Sequence, residues 1–338
     1  MSKTLDEIYD LEEKRLKEEI VKRGAKRVLL QLPEGLKPQG PRLAAVIEDA
    51  GAVAVISGDP CYGACDLPLC EAEHLEVDLV VHYGHTEMVS LRNVSVPVLY
   101  IEAKANIEVR TAVEKALKWM GDWKRIGLVT TVQHVHMLEE AKAVLEAADK
   151  TVYIGRAGST EYPGQVLGCD YGNAVSVSNG VEAFLFVGGG RFHALGVYLA
   201  TMKPTVVADP YENRAYVVDS DAQKIIRRRW ANINEARKAR NFGVIIGLKP
   251  GQSNVQLAYK IKKALNEKGK NAVLLALREI SPSVLLQFPS IDAYVNTACP
   301  RIVLGESAAF VKPMLTVKEA EVVLGWKRWE DLLEDGFV

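Results

Sequence analysis

The pattern of apolar and polar positions repeats three times along the chain. Each repeat begins with a short apolar run rich in Val, Ile and Leu, at residues 26–32, 124–130 and 241–247. Apolar runs of this length, without alternation, are typical of strands buried on both faces. The sequence therefore predicts three buried strands, each of which opens a similar unit.

Each opening run is followed by a loop and then by apolar residues spaced three and four apart, which predicts an amphipathic helix. These residues are Leu43, Val46 and Ile47, then Leu138, Ala141 and Leu145, then Leu257, Ile261 and Leu265. Further apolar runs predict second strands at 53–56, 152–154 and 273–277, third strands at 77–81, 183–187 and 291–295, and fourth strands at 97–101, 204–208 and 301–304. A strand, a helix and a parallel strand within roughly 30 residues form a right-handed βαβ unit.

We therefore expect an α/β protein of three homologous small domains, each with a mostly parallel sheet of about four strands. The expected ranges are 1–120, 121–240 and 241–338, arranged with pseudo-threefold symmetry around a common centre. A basic helix at 224–240, with a solvated charged face, is expected to link the second and third domains. Thr316 and Glu319 form a capping-box pattern that predicts the start of a C-terminal helix.

Composition adds limits on function. The 338 residues are 48% hydrophobic, which suits more than one core, and the net charge is −1. That balance disfavours a nucleic-acid binder, which needs a basic surface. The charged start at residues 1–6 does not resemble a signal peptide, and no apolar run reaches the roughly 18 residues of a membrane span. These features predict a cytoplasmic protein that is not bound to a membrane.

The cysteines are the main candidates for the residues of a functional site. There are five, at positions 61, 65, 70, 169 and 299, an odd number that disfavours a disulfide framework. Cys65, Cys169 and Cys299 each follow a predicted strand, one in each repeat. Since ligands of open parallel sheets bind beyond the carboxyl ends of the strands, these three thiols are expected to converge.

Three dispersed cysteines fit an iron–sulfur cluster better than structural zinc, which normally takes four ligands with local pairs. A 4Fe–4S cluster with three cysteine ligands keeps one iron open for a substrate. A local alternative is the Cys61, Cys65 and Cys70 set, which is close to the motif of ordinary radical S-adenosylmethionine enzymes. Its last spacing is too long, and those enzymes use a β/α barrel, so we favour the dispersed set. Cys61 and Cys70 are then packing or rim thiols.

Several motifs together resemble those of the diphthamide synthase family, and the resemblance runs from about Arg27 to the final helix. The cysteine motifs are Tyr62-Gly63-Ala64-Cys65-Asp66, Gly168-Cys169-Asp170 and Ala298-Cys299-Pro300-Arg301. The strand-end motifs are Gln31-Leu32-Pro33-Glu34-Gly35-Leu36, Val81-His82-Tyr83-Gly84-His85 and Gly188-Gly189-Gly190-Arg191-Phe192-His193. The additional Cys61, four residues before Cys65, is a departure that affects the choice of the first ligand.

The resemblance implies a 2-(3-amino-3-carboxypropyl)histidine synthase in which Cys65, Cys169 and Cys299 hold one 4Fe–4S cluster. It implies that a one-electron reductant drives cleavage of S-adenosylmethionine into methylthioadenosine and a 3-amino-3-carboxypropyl radical. The radical would add to C2 of a histidine of translation elongation factor 2. It also implies a homodimer.

Residues at the remaining strand ends are candidates for contact with S-adenosylmethionine: Gly188, Gly190, Arg191, His193, Gln252, Ser253 and Arg301. Glycine permits close approach of the backbone, and arginine pairs with carboxylates. Tight turns, structural ion pairs and a helix cap at Ser253 or Asn254 are the competing interpretations. His82, His85 and His193 could orient the target imidazole or carry a proton.

Two other functions stay open on the sequence. A quinolinate synthase-like enzyme would also place three dispersed cysteines on a 4Fe–4S cluster. A metal-free α/β protein that binds a small ligand would leave the cysteines merely buried.

Overall fold

The computed structural model describes residues 8–88, 94–305 and 310–338; the charged start at 1–6 lies outside these ranges. The strands in chain order are β1 Tyr9–Asp10, β2 Arg27–Gln31, β3 Val53–Ile56, β4 Leu79–Tyr83, β5 Val98–Ile101, β6 Lys104–Ala105, β7 Arg125–Thr130, β8 Thr151–Tyr153, β9 Ala183–Val187, β10 Thr205–Asp209, β11 Arg214–Val217, β12 Asn241–Gly247, β13 Asn271–Leu277, β14 Ala293–Asn296 and β15 Met314–Leu315.

The described helices lie between and beside these strands. The α-helices span Glu13–Arg23, Gly40–Asp49, Leu69–His74, Arg110–Met120, Leu138–Ala147, Gly172–Val177, Phe192–Thr201, Asp219–Lys238, Val255–Glu267, Pro282–Leu285, Pro300–Leu304, Val317–Leu324 and Trp329–Asp335. Short 3₁₀ helices span Glu34–Gln39, Val132–Met137, Ser178–Gly180 and Pro250–Gln252. In the described ranges, no helix combines the length and the apolar character that crossing a membrane requires.

Three principal sheets organise the described residues, in the orders β3-β2-β4-β5, β11-β10-β9-β7-β8 and β13-β12-β14-β15. Every pairing in them is parallel except β10 with β11. The fourth sheet is a two-stranded antiparallel ribbon of β1 and β6. The predicted α/β class with mostly parallel sheets is confirmed. Each principal sheet draws its strands from one of the ranges 1–120, 121–240 and 241–338, whose exact boundaries stay a prediction.

The central strands have apolar sequences because helices cover both faces of each sheet. All residues of β4 and of β9 are buried, as expected for strands inside parallel sheets. The predicted helical faces point inward in each repeat: Leu43 and Ile47, Ala141 and Leu145, and Ile261 and Leu265 are buried. This packing leaves the loops at the carboxyl ends of the strands free to form a site.

Two strand expectations need correction. Residues 301–304 lie in the helix Pro300–Leu304, where proline occupies a first-turn position that lacks a helical hydrogen bond in any case. The fourth strand of the third sheet is β15, which pairs parallel to β14. The second sheet has five strands, because β11 adds an antiparallel edge to β10.

The linking helix Asp219–Lys238 is longer than predicted, and one of its arginines is not solvated. Arg229 is fully buried, and its guanidinium donates to both carboxylate oxygens of Glu319 at 2.7 Å. It also donates to the Met314 carbonyl. Glu319 in turn accepts from the backbone N–H of Thr316, which confirms the predicted capping box. The prediction of a solvated basic face is therefore wrong for Arg229.

Removal of Arg229 tests this buried pair. We expect Arg229→Met to lower the free energy of unfolding by about 3–5 kcal/mol, because Glu319 would keep a buried, unpaired charge. Arg228→Met, at an exposed position of the same helix, is the matched control and should change it by less than about 0.5 kcal/mol. Urea unfolding followed by circular dichroism measures both. Equal midpoints for the two variants would contradict the assigned role of the pair.

Candidate functional site: a cavity at the meeting point of three sheets

A cavity of about 220 Å³ lies where loops from the carboxyl ends of the three principal sheets meet. The first sheet contributes residues after β3 and β4, the second residues after β8 and β9, and the third residues after β12, β13 and β14. Its lining residues are Tyr62, Gly63, Ala64, Cys65, His85, Thr86, Met88, Leu167, Gly168, Cys169, Phe192, His193, Lys249, Gln252, Arg278, Glu279, Ile280, Cys299, Arg301 and Ile302. The position follows the rule that ligands of parallel sheets bind beyond the strand ends.

Cys65, Cys169 and Cys299 all line this cavity, one from each principal sheet. Cys61 and Cys70, which the structure also describes, do not line the cavity. Cys61 is buried beside His82 and His85, and Cys70 is exposed on the helix Leu69–His74. The convergence expected from the sequence is therefore seen in the fold.

The three cavity thiols influence one another. Burial raises the pKa of each, and the neighbouring thiols oppose ionisation of Cys169, whose pKa rises to about 12. Cys169 is an exposed residue on the cavity wall, and the groups around its thiol hinder solvation of the thiolate. Three thiolates at one point thus require a cationic centre to neutralise them. An iron–sulfur cluster, which thiolates bind, fits this donor set.

The loop that carries Cys65 is held by the third sheet. The backbone N–H of Gly251 donates to the Cys65 carbonyl at 2.8 Å, and Nε2 of Gln252 donates to Sγ of Cys65 at 3.2 Å. A Cβ on Gly251 would come within 2.6 Å of Cα of Cys65, so a larger residue would separate the loops. The turn Pro250–Gln252 therefore fixes the position of the first-sheet thiol.

Lys249 reinforces the same contact. Its Nζ donates to Asp66 at 2.8 Å and to Glu279 at 2.6 Å, and it lies 4.4 Å from the ring centroid of Tyr62. Burial alone would lower the pKa of Lys249, but the two carboxylates outweigh it and the pKa is raised. Burial raises the pKa of Asp66 and the Lys249 ammonium opposes this. An ion pair between Asp66 and Lys249 thus joins the first and third sheets.

The other two cysteine loops are held locally. Asp170, next to Cys169, accepts from the backbone N–H groups of Ser159 at 2.9 Å and Gly172 at 2.8 Å. Asn296 donates to the Cys299 carbonyl at 2.8 Å and accepts from the Ala298 N–H at 3.0 Å. Each loop is thus held by hydrogen bonds from residues of its own region of the chain.

A second polar chain runs behind the first-sheet wall of the cavity. Nε2 of Gln31 donates to the Asp66 carbonyl at 2.7 Å, and Oε1 of Gln31 lies 2.6 Å from Nδ1 of His82. Nε2 of His82 lies 3.0 Å from Nδ1 of His85. Burial lowers the pKa of His82 and, to about 4, that of His85, so both rings are neutral at neutral pH.

The residues predicted to contact S-adenosylmethionine are only partly brought together. His193, Gln252 and Arg301 line the cavity, and the Arg301 guanidinium lies 4.4 Å from the ring centroid of Phe192. The remaining four, Gly188, Gly190, Arg191 and Ser253, do not form its described wall.

Those four residues have other surroundings. Arg191 is ion-paired with Asp221 at 2.6 Å and lines a neighbouring cavity. Gly188 and Gly190 have positive φ, as turn glycines do. Ser253 precedes the helix cap, which is Asn254.

Two groups of site residues were missed by the sequence reasoning. Arg278, Glu279 and Ile280 follow β13 and line the cavity, although no motif marked them. The roles of Lys249 and Gln31 as partners of the first-sheet loop were also missed. A signal for Arg278 and Glu279 existed, because charged residues directly after a buried strand fall at the ligand-binding edge.

Comparison with known proteins identifies the family. The family model described as "Putative diphthamide synthesis protein" matches residues 32–333. The chain belongs to this family. The 2-(3-amino-3-carboxypropyl)histidine synthase of Pyrococcus horikoshii is 38% identical over 323 residues, which cover 94% of this chain and 91% of that protein. Subunit 1 of the Schizosaccharomyces pombe synthase is 32% identical over 92% of this chain and 72% of its own length.

A solved structure agrees with the family assignment. The crystal structure of Dph2 from P. horikoshii with a 4Fe–4S cluster superposes with a TM-score of 0.87 at 36% identity, over 98% of this chain and 95% of that one. The diphthamide synthesis family therefore contains a member of the same fold whose structure holds the cluster type that suits the three thiols described above.

In this member of the diphthamide synthesis family, Lys249 is expected to stabilise the join between the first and third sheets. Lys249→Met would leave the buried Asp66 carboxylate without its ion-pair partner and should lower the free energy of unfolding by about 3 kcal/mol. Lys124→Met removes an ion pair with Asp149 whose side chains are 60% and 90% exposed, and is the control. Its expected effect is below about 1 kcal/mol. Urea unfolding of both variants measures the difference, and similar losses would refute the structural role.

Proposed function

We propose that this chain transfers the 3-amino-3-carboxypropyl group of S-adenosylmethionine to C2 of a histidine of translation elongation factor 2. The observation that carries the proposal is the presence of three cysteines, one from each sheet, in one cavity of a diphthamide synthesis family member. The synthases of P. horikoshii and S. pombe, which this chain resembles over more than nine tenths of its length, are named for this product.

In this proposal Cys65, Cys169 and Cys299 hold one 4Fe–4S cluster. When bound and reduced, such a cluster supplies the electron that breaks the bond between the sulfonium sulfur and Cγ of S-adenosylmethionine. The protein has to bind, orient and shield the reactants. Cys65 is favoured over Cys61 as the first-sheet ligand because Cys65 lines the cavity, whereas Cys61 lies outside its wall, beside His82 and His85.

The cavity wall suits a zwitterionic, partly apolar substrate. Arg301 presents a guanidinium beside Phe192, where it can pair with the methionine carboxylate. Glu279 keeps half of its side-chain surface exposed while bonded to Lys249, and is suited to an ammonium group. Phe192, Ile280 and Ile302 supply apolar surface that excludes water from a reactive carbon radical.

The proposal has four further parts. The protein substrate is elongation factor 2, the electron comes from a one-electron reductant, the enzyme is a homodimer, and its location is cytoplasmic. The family's role in diphthamide synthesis and the histidine in the relatives' names support a protein substrate. The reductant, the dimer and the location follow only from the resemblance to the diphthamide synthase family. Among the described residues we find no observation that favours quinolinate synthesis or a metal-free binding function.

Single substitutions of the cysteines test the cluster ligands. Anaerobically purified and reconstituted protein should show the visible absorption of a 4Fe–4S cluster. Cys65→Ala, Cys169→Ala and Cys299→Ala should each remove most of this absorption and of the bound iron, since each deletes a ligand from three. Cys70→Ala, at an exposed thiol outside the cavity, is the matched control and should keep both. Loss of the cluster in Cys61→Ala but not in Cys65→Ala would reverse the choice of first ligand.

The reaction itself is tested with dithionite, S-adenosylmethionine and elongation factor 2. We expect release of methylthioadenosine, and a gain by the factor of one 3-amino-3-carboxypropyl group, located at C2 of one histidine by mass spectrometry. Release of 5′-deoxyadenosine instead would indicate ordinary radical chemistry and refute the proposed reaction.

A further inference from the structure

One end of a buried hydrogen-bond chain opens on the cavity at His85. The chain begins at the Asp66 carbonyl and passes through Gln31 and His82. Gln31 is 3% exposed and His82 is fully buried, so these partners exchange little with solvent. The chain therefore fixes the protonation pattern of the ring at its end.

The pattern follows from the chemistry of each group. A carbonyl can only accept, so the side-chain amide of Gln31 points its N–H at Asp66 and its oxygen at His82. Nδ1 of His82 must then carry the proton, which leaves Nε2 of His82 as an acceptor. Nδ1 of His85 donates to that acceptor. In the neutral ring of His85, Nε2 is consequently left with a lone pair.

The nitrogen that carries this lone pair lies near Cys65 at the cavity wall. Nε2 of His85 lies 4.0 Å from the position that a Cβ on Gly63 would take, and Sγ of Cys65 lies 3.5 Å from the same position. His85 also forms part of the cavity wall. Cys61, His82 and His85 are close enough to hold a metal ion together, but both nitrogens of His82 are already engaged in the chain. These contacts therefore fit a role of His85 as a base with one defined tautomer better than they fit a metal site.

We propose that Nε2 of His85 accepts the proton that C2 of the target imidazole loses during the transfer, an inference that rests on the proposed function. The radical carbon forms a bond to C2, and the C2–H bond then breaks. Its proton goes to Nε2 of His85, and the remaining electron goes to a one-electron acceptor of the oxidised iron–sulfur class. Gln31 and His82 are positioning residues that keep Nε2 unprotonated beforehand.

The test separates cleavage of S-adenosylmethionine from transfer to protein. Reconstituted holoenzyme is assayed with elongation factor 2 carrying either hydrogen or deuterium at C2 of the target histidine. His85→Asn should retain the visible absorption and release methylthioadenosine within about twofold of the wild-type rate, because cleavage needs no base. Transfer to the protein should fall about 100-fold, the usual contribution of a general base. Deuterium should slow the residual transfer more than it slows wild-type transfer.

Control variants define the role further. His74→Asn changes an exposed histidine on the helix Leu69–His74 and should leave transfer unchanged. Gln31→Leu removes both the acceptor for His82 and the donor to the Asp66 carbonyl, and should reduce transfer by a larger factor than it reduces methylthioadenosine release. Gln31→Glu still accepts from Nδ1 of His82 and should recover part of that loss. If His85→Asn folds poorly, His85→Gln is measured in the same way.

The outcomes distinguish the two proposals. Absence of methylthioadenosine from the wild-type reaction would refute the proposed function. Normal wild-type transfer together with unchanged transfer in His85→Asn would overturn the role of His85 alone. Loss of cluster absorption in His85→Asn would also overturn it, because the ring would then support the cluster instead of the proton transfer.

Discussion

Three thiols from three separate sheets must share one small volume, and the rest of the structure serves that requirement. Parallel sheets make it achievable, because every carboxyl-terminal loop of a sheet emerges at the same edge. Turning three such edges toward one point brings Cys65, Cys169 and Cys299 together from distant parts of the chain. The arrangement is electrostatically unfavourable without a cation, since burial and mutual repulsion oppose ionisation of the thiols. A positively charged cluster core would therefore stabilise the three thiolates at this site.

Keeping the three thiols at fixed positions relative to one another requires contacts between the sheets as well as within each sheet. The turn Pro250–Gln252 contacts the Cys65 loop through backbone and side chain, and Lys249 adds an ion pair with Asp66. These contacts are mostly polar and buried, so they are directional in a way that apolar packing is not. A directional join suits a site in which an error of one ångström would misplace a reactive carbon.

The local sequence predicted the strands, the buried helical faces and the convergence of the three cysteines, because periodicity and strand ends are visible along the chain. It failed where distant partners decide the outcome. Lys249 and Asp66 are 183 positions apart, and Arg229 and Glu319 are 90 apart, so no local pattern links them. Residues 301–304 have strand-like composition, yet Pro300 and the turn at Asn296 start a helix there. Apolar composition alone did not distinguish these two structures.

The buried histidines connect this architecture to reactivity. A histidine can accept a proton only in its neutral form, and burial lowers the pKa of His85 to about 4, so the ring is neutral over the physiological range. In a neutral imidazole ring the proton could be on either Nδ1 or Nε2. Gln31, itself oriented by the Asp66 carbonyl, removes that ambiguity through His82. Asp66 also anchors Lys249, so one residue beside Cys65 takes part both in joining the sheets and in setting the tautomer at the cavity wall. Geometry of the thiols and protonation of the base are therefore coupled through the same loop.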